Sequence, residues 1–116
     1  MSVIYIDLDV SYKPLTENED IKIKVIIGDG QSGGYMVFLG QQFIAANKTA
    51  NIGNKAVVAG NISTIVVTIM DKLTQTNWTS VTLEVKEGNK KTVFGPFQKQ
   101  VPQHLDTAVY TIKMIH

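Results

Sequence analysis

The chain contains no cysteine, which removes disulfides, thiolate metal ligands and cysteine nucleophiles together. That absence says little about compartment, since bacterial proteins of either location can lack the residue. Arginine is missing too: all eleven basic residues are lysine. Bidentate reading of phosphate, carboxylate or guanine normally falls to arginine, so specific phosphate or nucleic-acid recognition is disfavoured, although a genome rich in Lys, Asn and Ile codons would leave the same mark. Long hydrophobic runs are absent as well. No window reaches membrane-spanning length. The segment Met1–Val10 has no basic leader and is interrupted by Asp7 and Asp9, so it does not read as a signal peptide. No membrane insertion is expected, and of the possible compartments the cytoplasm is favoured.

What is present suits one globular domain spanning residues 1–116. The length is that of a single domain able to bury its own core. Apolar residues make up 44% and charged residues 18% of the chain, enough apolar surface to offset chain entropy. Net charge is +1, so no global field recruits nucleic acid. The charge is unevenly placed. Residues 1–20 hold five acids against Lys13 alone. That polarity suits head-to-tail self-association, although a solvated acidic loop is the simpler reading.

Alternation with a period of two dominates the chain. Ile4, Ile6, Leu8, Val10 and Tyr12 share one face of a first strand, with Asp7, Asp9, Ser11, Val3 and Tyr5 on the other. Residues 21–27 repeat the pattern. Residues 35–39 are apolar on both faces, and 43–46 form a short extended piece. Residues 47–55 have loop chemistry and 56–59 suggest a short strand. The β-branched stretch 62–70 belongs in mid-sheet. Residues 78–86 alternate again, followed by a hairpin turn at 87–90 and a return strand over 92–97. Gly95-Pro96 interrupts that strand, which makes it an edge or a bulged strand. A polar connection over 98–106, with a short helical turn after Pro102, leads to a last strand at 107–115. Eight or nine short strands at roughly ten-residue spacing predict an all-β fold, a two-sheet antiparallel β-sandwich of immunoglobulin-like, C2-like or jelly-roll topology, with a closed barrel as the alternative. Strand count and length are similar to those of immunoglobulin-type and C2-type sandwiches in general. The disulfide pair and buried-tryptophan spacing of the former and the aspartate loops of the latter are not matched, so the likeness implies architecture alone.

Several motifs suggest chemistry. Gly28-x-Gly30-x-x-Gly33 fits the dinucleotide fingerprint, and Gly30-Gln-Ser32-Gly-Gly34 fits the nucleophile elbow. Each needs a helix after the loop, and Tyr35–Leu39 reads as strand, so a mobile hairpin loop is expected instead. Ser32, His104 and Asp106 supply the residue types of a catalytic triad, with no visible oxyanion element. His104 and His116 lack ligand spacing for zinc. Asp29, Asp71 with Asn77, and Asp106 with Gln103 offer calcium oxygens at one end of a sandwich, without the dense acidic loop such sites use; their simpler role is in turns. Asp7 and Asp9 lie on a wet face, with no apolar cover to raise a pKa. Three Asn-x-Ser/Thr sequons, at Asn47, Asn61 and Asn77, read as coincidence in a chain that otherwise looks bacterial. No metal, cofactor or catalytic residue is expected. Trp78, the one tryptophan, is either a core anchor, the favoured reading, or a stacking platform for a sugar. In the second case Tyr5, Asp29 and Gln31 are its candidate companions.

Function is therefore expected to be non-enzymatic. The first expectation is a structural or protein–protein interaction module, self-associating through a sheet face or edge. Its support is the apolar character of nominally polar positions: Val3, Tyr5, Ile26, Val66, Val109 and Ile115. The alternative is a carbohydrate- or small-ligand-binding module using Trp78 and the loops at one end. A hydrolase built on Ser32 is the remotest reading.

Overall fold

The computed structural model describes residues 2–116. Nine strands and one helical turn follow in chain order: β1 (Val3–Ser11), β2 (Ile21–Ile27), β3 (Gly33–Leu39), β4 (Gln42–Ala46), β5 (Ala50–Gly53), α1 (Lys55–Val58), β6 (Ile62–Met70), β7 (Trp78–Glu87), β8 (Lys90–Gln100) and β9 (Thr107–Ile115). They form a β-sandwich. One sheet has the order β1-β9-β6-β3-β4 and the other β5-β2-β7-β8. Both sheets end in free strands, so the barrel alternative is excluded.

The alternating pattern explains why the layers face as they do. Ile65, Val67 and Ile69 of β6, and Ala108, Tyr110, Ile112 and Met114 of β9, point inward and are fully buried. They meet Ile21, Ile23, Val81, Leu83 and Val85 from the four-stranded sheet. Each fully buried Val, Leu, Ile or Met among them contributes about 1.5–3 kcal/mol of burial. A one-residue slip of any of these strands would turn its whole apolar set outward, which fixes the register.

The sheets are not wholly antiparallel, as the sequence reading had them. β1 pairs parallel to β9, from Val3 opposite Thr107 to Ser11 opposite Ile115. Alternation specifies which side chains point inward, and it is blind to strand direction. The loop at residues 28–32 is also not a hairpin. It carries the chain from β2 in one sheet to β3 in the other. Gly28-Asp-Gly-Gln31 forms a tight turn in which the Gln31 N–H donates to the Gly28 carbonyl at 3.1 Å. Asp29 and Gly30 both adopt positive φ, 57° and 71°, as a type I′ turn requires. The glycine pattern is turn chemistry.

Residues 47–59 differ from expectation as well. The strand lies at 50–53, and the segment read as a strand at 56–59 is mostly the helical turn α1. Asn54 caps it, its side chain accepting from the Val57 N–H. Val58 is buried beneath it and closes one end of the core. The connection after Pro102 forms a turn, without a helix. Pro96 behaves as expected. β8 is a free edge, and Gly95 and Pro96 together oppose Thr82 in a bulge.

Candidate interaction surfaces

Pairing registers lay out the outer face of the five-stranded sheet row by row. One row runs Tyr5, Val109, Thr68, Gly34 across β1, β9, β6 and β3. The next runs Asp7, Thr111, Val66, Met36, Ala46, and the next Asp9, Lys113, Thr64, Phe38, Phe43. Val3 and Met70 lie at one end of the face, and Ile115 and Ile62 at the other. Charge is confined to Asp7, Asp9 and Lys113, on the two strands at the β1 margin. Elsewhere this solvent-facing layer is largely apolar. Val3, Tyr5, Met36, Phe43, Ile62 and Ile115 are all exposed, Tyr5 by 73% and Phe43 by 53%. Phe38 and Phe43 meet edge to face at 5.8 Å between centroids. Of the six apolar residues singled out from sequence, five fall on this face. Ile26 lies on the outer side of the other sheet. Met36 and Phe38 of β3, Phe43 of β4 and Ile62 of β6 were missed as surface residues, because an apolar side chain on the outer face of a strand carries the same sequence signal as one facing the core.

The loops at one end of the sandwich bring Gln31, Asp71 and Trp78 together. The Gln31 side-chain amide donates to Asp71 Oδ1 at 2.7 Å and to the Trp78 carbonyl at 3.4 Å, and its own oxygen accepts from the Lys72 N–H at 3.3 Å. Gln31 and Asp71 are buried, so this residue set pins the crossover loop. Trp78 is not the core anchor. It is 43% exposed, beside a shallow groove of about 330 Å³ with Thr76, Asn77 and Gln100 among its walls. Tyr110 takes the interior position, its hydroxyl bonded to Thr79, and burial raises its pKa. Asp29 is exposed on the turn next to Gln31. Tyr5 is not brought to Trp78. It projects from the other sheet's outer face.

Asp106 holds backbone instead of an imidazole. Its carboxylate accepts from the Ser2 N–H at 2.7 Å and the Gln103 N–H at 3.0 Å, and Ser32 and His104 lie exposed on separate loops. No three His, Asp or Glu side chains converge closely enough to hold a metal ion among the described residues. His116 is engaged at both ring nitrogens. Nδ1 donates to the Tyr12 carbonyl at 3.1 Å, which leaves Nε2 to accept from Ser63 Oγ at 2.6 Å. Burial holds this imidazole below the usual histidine pKa.

No protein-family model matches the chain, and neither a curated protein nor a solved structure does. Function is argued from the surfaces themselves. No helix among the described residues is long and apolar enough to cross a membrane.

The opposite end of the sandwich holds a polar cluster that the sequence reading passed over. Glu87, at the end of β7, is 1% exposed. Its carboxylate accepts from the Tyr12 hydroxyl at 2.7 Å, the Leu15 N–H at 2.8 Å, and the Thr16 N–H and hydroxyl at 2.6 and 2.8 Å. Burial pushes this carboxyl up, but the Leu15 amide, the Tyr12 hydroxyl and the two Thr16 donors outweigh it and leave the pKa lowered. The Tyr12 hydroxyl is driven up, by burial first and then by its bond to Glu87. In sequence, Glu87 looks like an ordinary turn residue. Its inward position follows from β7 parity, two residues on from Val85.

Proposed function

We propose that this domain is a non-catalytic interaction module that self-associates by packing the outer face of the five-stranded sheet against the same face of a second copy. The observation that supports this reading is the set of exposed apolar rows around β6, β3 and β4. Soluble monomers rarely leave contiguous apolar patches of several hundred Å² in water. Five strands spaced about 4.8 Å, of five to nine residues at about 3.3 Å each, give the whole face, its charged β1 margin included, a footprint on the order of 600 Å². That reaches the lower range of specific interfaces per partner. β6 is the middle strand, so a two-fold axis along it superposes the apolar centre on itself and sets β1, with Asp7 and Asp9, at the rim across from β4 of the second copy. Sedimentation velocity across a concentration series tests this. The wild-type chain is expected to dimerise, and the Met36→Glu/Phe43→Glu double variant to weaken the dimer by about a hundredfold. A wild-type chain that stays monomeric at every concentration refutes the reading.

A second reading rests on Trp78. An exposed indole beside the polar groove with Asn77 and Gln100 suits stacking on a sugar ring or another small polar ligand. Quenching or a blue shift of Trp78 emission on titration with neutral oligosaccharides, lost in Trp78→Ala, supports it. Emission unmoved by any of them removes it.

A further inference from the structure

β1 is a free edge of the five-stranded sheet, and it is unlike the other three edges. β4 and β5 are short, five and four residues, and each meets its neighbour through a register shift. β8 carries the bulge at Gly95 and Pro96. Bulges, proline, lysine and short length are the devices that keep sheet edges from pairing with other chains. β1 has none of them. Its nine residues, Val3–Ser11, include no proline, glycine or lysine and pair with β9 one to one.

The backbone of this edge is open in a definite pattern. The Thr107 N–H donates to the Ser2 carbonyl and the Tyr12 N–H to the Ile115 carbonyl, both at 2.8 Å. Successive residues of a strand turn their N–H and C=O groups to alternate sides, so the even-numbered residues of β1 face β9. Val3, Tyr5, Asp7, Asp9 and Ser11 direct theirs the other way, where no strand pairs with them. The side chains leave a matching gap. β4 and β5 meet at one margin of the sandwich, which leaves β1 and β8 at the other. There Ile4, Ile6, Leu8 and Val10 are only half-buried, as are Phe94 and Phe97 of β8. Their partners on β9, from Ala108 to Met114, are fully buried. The core is open along this seam.

We propose that β1 takes up an extended segment of a partner protein as a sixth strand, with apolar residues at alternate positions and a lysine or arginine opposite Asp7. Main-chain hydrogen bonds to the five outward residues supply affinity, and alternate side chains supply selection. The apolar ones turn inward over the seam, beside Ile4, Ile6 and Leu8. The others lie on the outer face beside Asp7 and Asp9. Lys113, the one lysine of β1 and β9, stands opposite Asp9 and diagonal to Asp7. Two acids against one lysine leave a negative charge that a cation on the incoming strand balances. A second copy fits this edge poorly. Two β1 strands paired about a two-fold axis set these acids opposite or diagonal to their own copies, and like charges there repel. The remaining edges of a second copy are the interrupted ones. The β1 edge points along the plane of the sheet, so packing of the outer faces in a dimer leaves it open.

A blocked nine-residue peptide of alternating threonine and valine, with lysine for the three inner threonines, is titrated into the full chain with amide shifts followed by NMR. Saturable binding is expected, with the largest shifts and slowed hydrogen exchange at the Val3, Tyr5, Asp7, Asp9 and Ser11 amides. The same peptide with glutamate for lysine, and one of equal composition without the alternation, should each bind at least about fivefold more weakly. Asp7→Lys should erase or reverse the preference for lysine over glutamate. Tyr5→Pro removes an outward N–H that the fold does not use and should raise Kd at least about tenfold. Lys86→Gln on the other sheet should leave Kd unchanged. No saturable binding, shifts centred away from β1, equal binding of the lysine and glutamate peptides, or a Kd unmoved by both Asp7→Lys and Tyr5→Pro overturns the proposal. So does a peptide-free chain whose outward β1 amides become protected as protein concentration rises, since a second copy then holds the edge.

Discussion

Glu87 shows how one side chain can organise a whole end of this molecule. Its carboxylate gathers donors from Tyr12, Leu15 and Thr16, so it fastens the chain between β1 and β2 onto the end of β7. Glu87→Ala leaves those donors without their acceptor, and a loss of about 3 kcal/mol is expected in urea unfolding. The titrations follow from the shifts. The Glu87 pKa is lowered in the fold, so its contribution is present above the unfolded value of 4.5 and is lost as pH falls through the folded value. His116 is lowered as well, so its neutral form stabilises the fold above 6.5, and that stability fades on acidification. Tyr12 and Tyr110 are raised, and their contribution is present below 10 and fades as pH climbs through their folded values. Thermal midpoints should therefore plateau between about pH 6.5 and 10. The Glu87→Gln variant should lose less stability than wild type when acidified below 4.5. Trp78 makes the opposite case, a large side chain outside the core. Its emission should be red-shifted and readily quenched by acrylamide, and Trp78→Ala should cost less than about 1.5 kcal/mol.

At the scale of elements, the interior strands carry the stability and the edges carry the irregularities. β6 and β9 lie inside one sheet and β2 and β7 inside the other. Their amides should show the slowest hydrogen exchange, with those of β4 and β5 much faster. An exchange map with β4 as slow as β6 contradicts this ordering. The bulge on β8 rests on Gly95, whose φ is 102° and whose added Cβ would approach the Val81 carbonyl oxygen at 2.8 Å. Gly95→Ala should destabilise by about 1–3 kcal/mol in urea unfolding. Pro96 beside it gives the free edge one position with no N–H, which discourages pairing with another chain.

For the whole molecule, the two sheets turn different surfaces outward, one largely apolar and the other lysine-rich. Packing of the apolar faces in a dimer leaves both lysine-bearing faces open. If the apolar faces do pair, the thermal midpoint must rise with protein concentration by mass action. That dependence should vanish in Met36→Glu/Phe43→Glu and persist in Lys86→Gln.

The sequence by itself determined the layered β architecture, the inward faces of β1, β2, β6, β7 and β9, the edge or bulge at Pro96 and the wet position of Asp7 and Asp9. Each follows from a period-two pattern or from the missing N–H of proline, both local properties. Only the tertiary structure decided that β1 runs parallel to β9, that the glycine turn crosses between sheets, that Trp78 is exposed, that Glu87 is clasped from three residues far along the chain, and that Lys22, Lys86 and Lys91 stand in one row. Those depend on which strands become neighbours and in what direction. Alternation leaves that choice open, because a strand shows the same two faces whichever partner it has and whichever way it runs.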